Sequence, residues 1–257
     1  MSSPLSEFLQ QAPPISRTIA GLTLVTSVLT WVFGVIQPIT LIYYYPLITR
    51  YPYQLWRLVS PFFLTSPKMG IVMDTFFLYR DASEAEKRFV RTGDFLIFTV
   101  FVGAIILLLN HFIVGGALFL QALNVAFAYY WSAKEPAATN VNFFIASFSV
   151  RYLPYVMLLM MAITKGPQAV YVGATGVIAA HAYIFLTHVY PRYGRGTNII
   201  ITPNWVHGLF EGSRRAAPAP IRVSSGSSTT TGRAAPAGSD SAGGIWRQRG
   251  TGQRLGS

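Results

Sequence analysis

Long apolar stretches separated by short polar breaks dominate the first three quarters of the chain. Residues 19–36, 58–79, 95–109, 112–131, 153–164 and 170–190 are rich in Leu, Ile, Val, Phe and Ala. Crossing about 30 Å of hydrocarbon takes roughly 20 helical residues. The pattern therefore predicts six transmembrane helices, several of them short. A short span is met by local thinning of the bilayer, at a cost of fractions of a kcal/mol per Å. The second stretch is interrupted by Pro61 and by Ser66-Pro67-Lys68. This leaves open a five-span arrangement in which that segment is re-entrant.

The pattern changes near Gly212, where Gly, Ser, Thr, Pro, Ala and Arg take over. Such a composition buries too little apolar surface to offset its ordering entropy. The chain is thus expected to divide into a membrane domain (1–211), a disordered basic linker (212–244) and a terminal peptide (245–257). Trp246 and Leu255 return large apolar side chains to that peptide, as a docking segment would.

Composition supports a membrane class. Of the 257 residues, 52% are hydrophobic and only 11% are charged, and the mean hydropathy is +0.41. A soluble domain carries about 25% charged residues. The net charge of +11 is not a nucleic-acid signal, because its arginines sit in loops and the tail. Without cysteine there is no disulfide or thiolate metal site. No metal or cofactor set, Gly-x-x-x-x-Gly-Lys nucleotide motif or internal repeat is found, so a transporter of duplicated halves is not expected. The first 14 residues lack the form of a cleavable signal, and the first apolar run is expected to act as its own insertion signal.

Charge sets orientation. The segment after the second run holds Arg80, Lys87, Arg88 and Arg91, and the region after Tyr190 holds nine arginines. The breaks after the third and fifth runs hold only Lys165 between them. By the positive-inside rule both termini are expected in the cytosol.

Several polar and small residues fall in telling places. Trp56-Arg57 enters the second run, where a tryptophan anchors at the membrane interface. Gly173, Gly176 and Ala180 make one smooth face on the last run, which lets another helix approach closely. His181 follows directly. An ionisable group within a span is a functional candidate, and a histidine packed neutrally between helices is the alternative. Thr23, Thr26, Ser27 and Thr30 share one side of the first run, and Gln121 and Asn124 one side of the fourth. Ordinary interhelical hydrogen bonding is one reading of these hydroxyls and amides, and a hydrated groove facing inward is the other.

These pieces together resemble the Derlin family, rhomboid-like pseudoproteases of the endoplasmic reticulum membrane. The resemblance rests on Pro14-Ile15-Ser16-Arg17, Trp56-Arg57, Tyr79 with Glu86 seven residues on, and Tyr130-Trp131-Ser132. It continues through Tyr152-Leu153-Pro154, Gly176 to His181, and Tyr190-Pro191 leading to Gly194, Thr202 and Pro203. The terminal Gly250-Thr251-Gly252-Gln253-Arg254-Leu255 resembles the SHP box, which engages the valosin-containing AAA+ ATPase. Arg249 stands where that box usually has an apolar residue, and Trp246 lies four residues upstream. Glu135-Pro136 replaces the family's Asn-Pro, and the last span reads Gly-x-x-x-Ala.

The resemblance implies an all-α, rhomboid-like six-helix bundle that moves misfolded proteins from the endoplasmic reticulum to the cytosol for degradation. It implies three partners besides lipid: misfolded substrates, an Hrd-type membrane ubiquitin ligase and the ATPase. It implies that Trp56 and Arg57 anchor the lumenal loop, that Glu86 belongs to a cytosolic loop, and that Gly250, Gly252 and Leu255 dock the ATPase. Self-association, or a pore shared with a ligase, stays open. So does a passive adaptor role. A hydrolase would need Gly-x-Ser on the fourth span beside a histidine on the sixth. Before the tail no Gly-x-Ser occurs, so no catalytic residue is expected.

Overall fold

A computed structural model describes residues 13–49, 51, 53–136, 139–143, 146–193 and 203. The linker and terminal peptide expected at 212–257, with Trp246, Gly250, Gly252 and Leu255, lie outside these residues.

The described chain is mostly helical. α1 is Pro14–Trp31, followed by the short α2 (Pro38–Leu41) and α3 (Tyr45–Thr49). Two single 3-10 turns, Leu55–Leu58 and Ser60–Phe62, lead on to α4 (Gly70–Glu86) and α5 (Thr92–Leu109). α6 is Leu120–Lys134. A two-stranded antiparallel hairpin then pairs β1 (Asn140–Phe143) with β2 (Ala146–Ser149), Asn140 opposite Ser149. α7 (Leu153–Lys165), α8 (Pro167–Ile184) and the short α9 (Tyr190–Tyr193) complete the fold. Proline opens α1, α2, α7 and α8 at one of their first two positions, where its missing N–H costs nothing.

α6 is the axis of the bundle. Eleven of its fifteen residues are buried, and α8, α4, α7 and α5 all pack on it. α1 packs on α4. Phe95, Phe98, Phe127, Tyr130 and Tyr183 form an aromatic core between α5, α6 and α8, with ring centroids 4.6 to 6.1 Å apart across the helix pairs.

Two of these helices are long and apolar enough to cross a membrane: Thr92–Val114, with mean hydropathy 2.5, and Pro167–Val189, with 1.7. Each ends in a wider π turn, Asn110–Val114 and Phe185–Val189. The other four bundle helices are shorter or less apolar. Residues 58–69 form turns because Pro61 and Pro67 withhold backbone donors, and Lys68 adopts a left-handed φ of 59°. The expected loop at 80–91 is instead helical as far as Glu86, because Asp81, Ala82, Ala85 and Glu86 are buried against neighbours. The run expected at 112–131 is split: residues 112–114 close the long helix in its π turn, and helix resumes only at Leu120, after the Gly115-Gly116 break.

Candidate functional site

Alternating helix directions give the bundle two ends. The loop end gathers residues 32–69, the α5–α6 connection and the α7–α8 turn. The hairpin end gathers the start of α1, the α4–α5 connection and the β-hairpin.

At the loop end, Arg57 is the strut of the long first loop. It is buried, and its Nη1 donates to the carbonyls of Ile39 (2.7 Å) and Ile42 (2.9 Å), its Nε to Gln54 Oε1 (2.5 Å). These acceptors take three of the five guanidinium N–H groups, which offsets much of the cost of burying the charge. Trp56 faces outward, 54% exposed, as an interfacial ring would. The loop is sewn to the α5–α6 connection by Tyr43 N–H to Ala117 O (2.9 Å) and Phe119 N–H to Pro61 O (3.0 Å). The Tyr43 hydroxyl also lies 3.0 Å from His111 Nδ1. Burial, then the neighbouring Tyr45, raises the Tyr43 phenol above its ordinary value, so it stays protonated and can donate to His111.

At the hairpin end, Glu86 does more than occupy a loop. It is buried, and its carboxylate accepts from Ile15 N–H (3.3 Å), Ser16 N–H (2.8 Å) and Ser16 Oγ (2.6 Å). These are orphan donors of the first turn of α1, and a carboxylate there also meets the positive end of the helix dipole. Nearby, Arg88 bonds Glu84 and Glu135 and lies 5.2 Å over the Trp131 ring.

The small face of α8 divides between two partners. A Cβ placed at Gly176 would land on the Ala122 carbonyl of α6, and one at Gly173 would meet Leu158 and Met161 of α7. Ala180 is fully buried on the same face. His181 does not join them. It is exposed, with its Nδ1 2.9 Å from the Tyr129 hydroxyl, which corrects the view of it as a histidine packed between helices. Thr175, on the same helix, is buried and bonded by Asn110 Nδ2 at 3.0 Å. The hydroxyl that meets His181 on α6 is therefore a phenol.

The expected groove residues part into two groups. Thr23, Ser27 and Thr30 are buried along α1, and Thr26 is half-buried. Thr23 and Thr30 donate back to the Ile19 and Thr26 carbonyls at 2.9 and 2.8 Å. Ser27 Oγ accepts Thr65 N–H at 3.1 Å and lies 3.5 Å from the Phe63 carbonyl. These hydroxyls fasten α1 to itself and to the first loop. Gln121 and Asn124 instead line a cleft of about 350 Å³ between α4 and α7, floored by α6. At its loop-end mouth Lys165 Nζ lies 3.6 Å from Asp74 Oδ2 and donates to Ser66 Oγ at 2.5 Å, while Ser66 N–H donates to Asp74 at 3.0 Å. The Asp74–Lys165 pair went unread in the sequence: the two are 91 positions apart, Asp74 within the second apolar run and Lys165 in the break after the fifth. Among the described residues no cluster of His, Asp and Glu could hold a metal ion.

A family model described as the Der1-like family matches residues 12–204. The chain is 31% identical over 244 residues to Derlin-1.2 of Zea mays, covering 90% of this chain and 96% of that protein. It is 30% identical over 231 residues to Derlin-1 of Arabidopsis thaliana, covering 88% and 85%. Against Derlin-2.2 of Arabidopsis thaliana it is 30% identical over 225 residues, covering 82% and 89%. With motif order, helical bundle and family match in agreement over nearly the whole described region, the chain belongs to the Der1-like family.

Proposed function

We propose that this protein is a non-catalytic retrotranslocation factor of endoplasmic-reticulum-associated degradation. In this reading it is a six-span protein with both termini cytosolic, thinning and hydrating the bilayer so that misfolded chains pass to the cytosol. The observation that carries the reading is the shortness of the helices around the cleft. At about 1.5 Å per residue, the 13 residues of α7 span roughly 20 Å and the 15 of α6 roughly 22 Å. In α4 only residues 70–79 precede Arg80 and Asp81, roughly 15 Å of helix that Asp74 interrupts. Hydrocarbon about 30 Å thick must bend inward to meet them. A charged side chain at mid-bilayer costs roughly 2.5–3.5 kcal/mol on insertion scales, and a thinner, wetter path lowers that barrier.

In the same reading Arg57 and Trp56 hold the lumenal loop at the rim. The tail delivers the AAA+ ATPase through Trp246, Gly250, Gly252 and Leu255, at a local concentration near the mM range for a flexible linker. An Hrd-type ligase receives the exported chain. Against hydrolysis, the hydroxyl beside His181 is the Tyr129 phenol rather than a serine, and no Gly-x-Ser occurs before the tail.

The test replaces Gln121 and Asn124 by leucine and follows export of a misfolded client from microsomes, with co-purification of ligase and ATPase as the control. Slowed export with intact partners is expected. Unchanged export favours a passive adaptor and sinks the thinning mechanism. For the tail, Gly252→Ala or Leu255→Ala should abolish ATPase co-purification while insertion stays normal.

A further inference from the structure

The hairpin end carries a polar pocket that plays no part in the cleft between α4 and α7. Its volume is about 680 Å³, and it lies between the end of α6 and the start of α7. Small-molecule sites run from roughly 300 to 1,000 Å³. Tyr129, Ser132 and Glu135 line it from the α6 side, and Arg151, Tyr152 and Tyr155 from the α7 side.

The two sides differ in chemistry. Arg151 is exposed, and its guanidinium meets no acceptor among the described residues. It stands just before α7, whose positive end adds to its charge. An arginine at a helix N-terminus suits a phosphate. Glu135 brings the opposite sign. Its carboxylate already accepts from Arg88 and from Thr139 Oγ1, so it offers a field rather than a free acceptor. The Tyr129 hydroxyl is engaged with His181, which leaves its ring to the pocket. Tyr152 and Tyr155, 60% and 58% exposed, stack on no other ring among the described residues. Tyrosine rings beside a carboxylate suit a cation with no N–H to satisfy, a quaternary ammonium.

α7 decides what carries these two groups. Leu159 and Ile163, 59% and 72% exposed, continue the side of α7 that Tyr155 begins, at spacings of four. Met157 and Met161, which line the cleft, lie on the opposite side. A ligand in the pocket that also had acyl chains would lay them on this apolar stripe.

We propose that the pocket holds the headgroup of one phosphatidylcholine molecule, with its acyl chains along Leu159 and Ile163. The phosphate lies on Arg151, and the quaternary ammonium among Tyr129, Tyr152, Tyr155 and Glu135. The site stands apart from the translocation reading and does not depend on it.

Since the protein lacks cysteine, a single Ile163→Cys in the full chain carries one fluorophore on the stripe, roughly 18 Å along the helix from Arg151. The protein is placed in nanodiscs of digalactosyldiacylglycerol, a lipid without phosphate. It is then titrated with phosphatidylcholine, phosphatidylethanolamine or phosphatidylglycerol bearing a nitroxide near the acyl terminus. Saturable quenching is expected, with phosphatidylcholine half-saturating at about fivefold lower mole fraction than phosphatidylglycerol, which has no cation for the rings. Phosphatidylethanolamine should fall between them. Arg151→Gln should weaken all three about tenfold, the loss of a charge-assisted hydrogen bond, and Arg151→Lys should restore part of it. Tyr152→Leu with Tyr155→Leu should erase the preference for phosphatidylcholine. Tyr152→Phe with Tyr155→Phe should keep it, because the ring and not the hydroxyl meets the cation. These positions are exposed, so the fold tolerates the changes.

Equal, unsaturated quenching by the three lipids is the behaviour of ordinary surrounding lipid and overturns the site. Phosphatidylethanolamine binding as tightly as phosphatidylcholine overturns the quaternary ammonium, and indifference to Arg151→Gln overturns the phosphate contact. A phenylalanine pair that loses the preference as the leucine pair does overturns the role of the rings. Free phosphocholine in excess should leave the labelled lipid in place; its release would assign the pocket to a soluble ester instead.

Discussion

Gly176 and Gly173 look alike in sequence, yet they call for different outcomes when a methyl is added. Gly176 meets backbone, the Ala122 carbonyl, which cannot retreat without shifting α6. Gly173 meets the ends of Leu158 and Met161, which can rotate. Gly176→Ala should therefore destabilise the protein by about 3 kcal/mol, the upper part of the usual range for overpacking, and Gly173→Ala by under about 1 kcal/mol. Thermal unfolding in detergent, followed by tryptophan fluorescence, separates the two; equal losses would mean that α6 and α7 are equally yielding. Glu86→Ala should cost about 3 kcal/mol or more, since two buried N–H groups and a hydroxyl lose their acceptor at about 1–3 kcal/mol each. Glu86→Gln, keeping one carbonyl oxygen there, should recover part of it. The small-residue face was legible because spacing alone defines a helical surface. Glu86 could be flagged only by resemblance, since its role depends on Ser16, 70 positions away, and periodicity carries no such pairing. The partner of His181 was equally hidden: a tyrosine on another helix leaves no trace near residue 181.

Apolar runs located every bundle helix, but their ends shifted wherever polar chemistry intervened. Proline and glycine moved the starts, delaying α4 to Gly70 and α6 to Leu120. Buried charge moved an end, carrying α4 through Asp81 to Glu86. The hairpin between α6 and α7 does alternate, with Val141 and Phe143 on one strand and Phe148 between Ser147 and Ser149 on the other, a short period-two pattern that a search for long apolar runs passes over. What survives these adjustments is a set of unequal lengths, 13 and 15 residues in α7 and α6 against 23 in each of the two long apolar helices. Such a bundle should prefer thin bilayers. Across phosphatidylcholines of rising acyl length, its unfolding midpoint should be highest with short chains and fall as the hydrocarbon thickens, mismatch costing fractions of a kcal/mol per Å. A midpoint that is flat, or that climbs with chain length, would contradict the proposed thinning.

α6 holds the bundle together, and at its hairpin end what reaches it is ionic as well as apolar. Glu135, just past its last residue, takes Arg88 from the α4–α5 connection. This glutamate, which the resemblance set against an Asn-Pro, supplies an ion pair here. Both side chains are partly exposed, 18% and 22%, so Glu135→Asn should lower stability by no more than about 1 kcal/mol. The loss should shrink further in high salt, since added ions screen the pair; a salt-independent loss would assign the effect to the Trp131 contact of Arg88 instead. None of this network was legible beforehand, because the charges at 80–91 read as a solvated loop.

Glu86 also dates an event in the making of the protein. Its bonds to Ser16 close a segment of 70 positions, and chains are synthesised at about 5–20 residues per second. The opening helix must therefore wait roughly 4–14 s after its own appearance, plus the time for residue 86 to clear the ribosome, before its bare first turn finds a carboxylate. Nascent chains arrested short of that residue should expose their amino-terminal segment to added protease, and those arrested well past it should shield it.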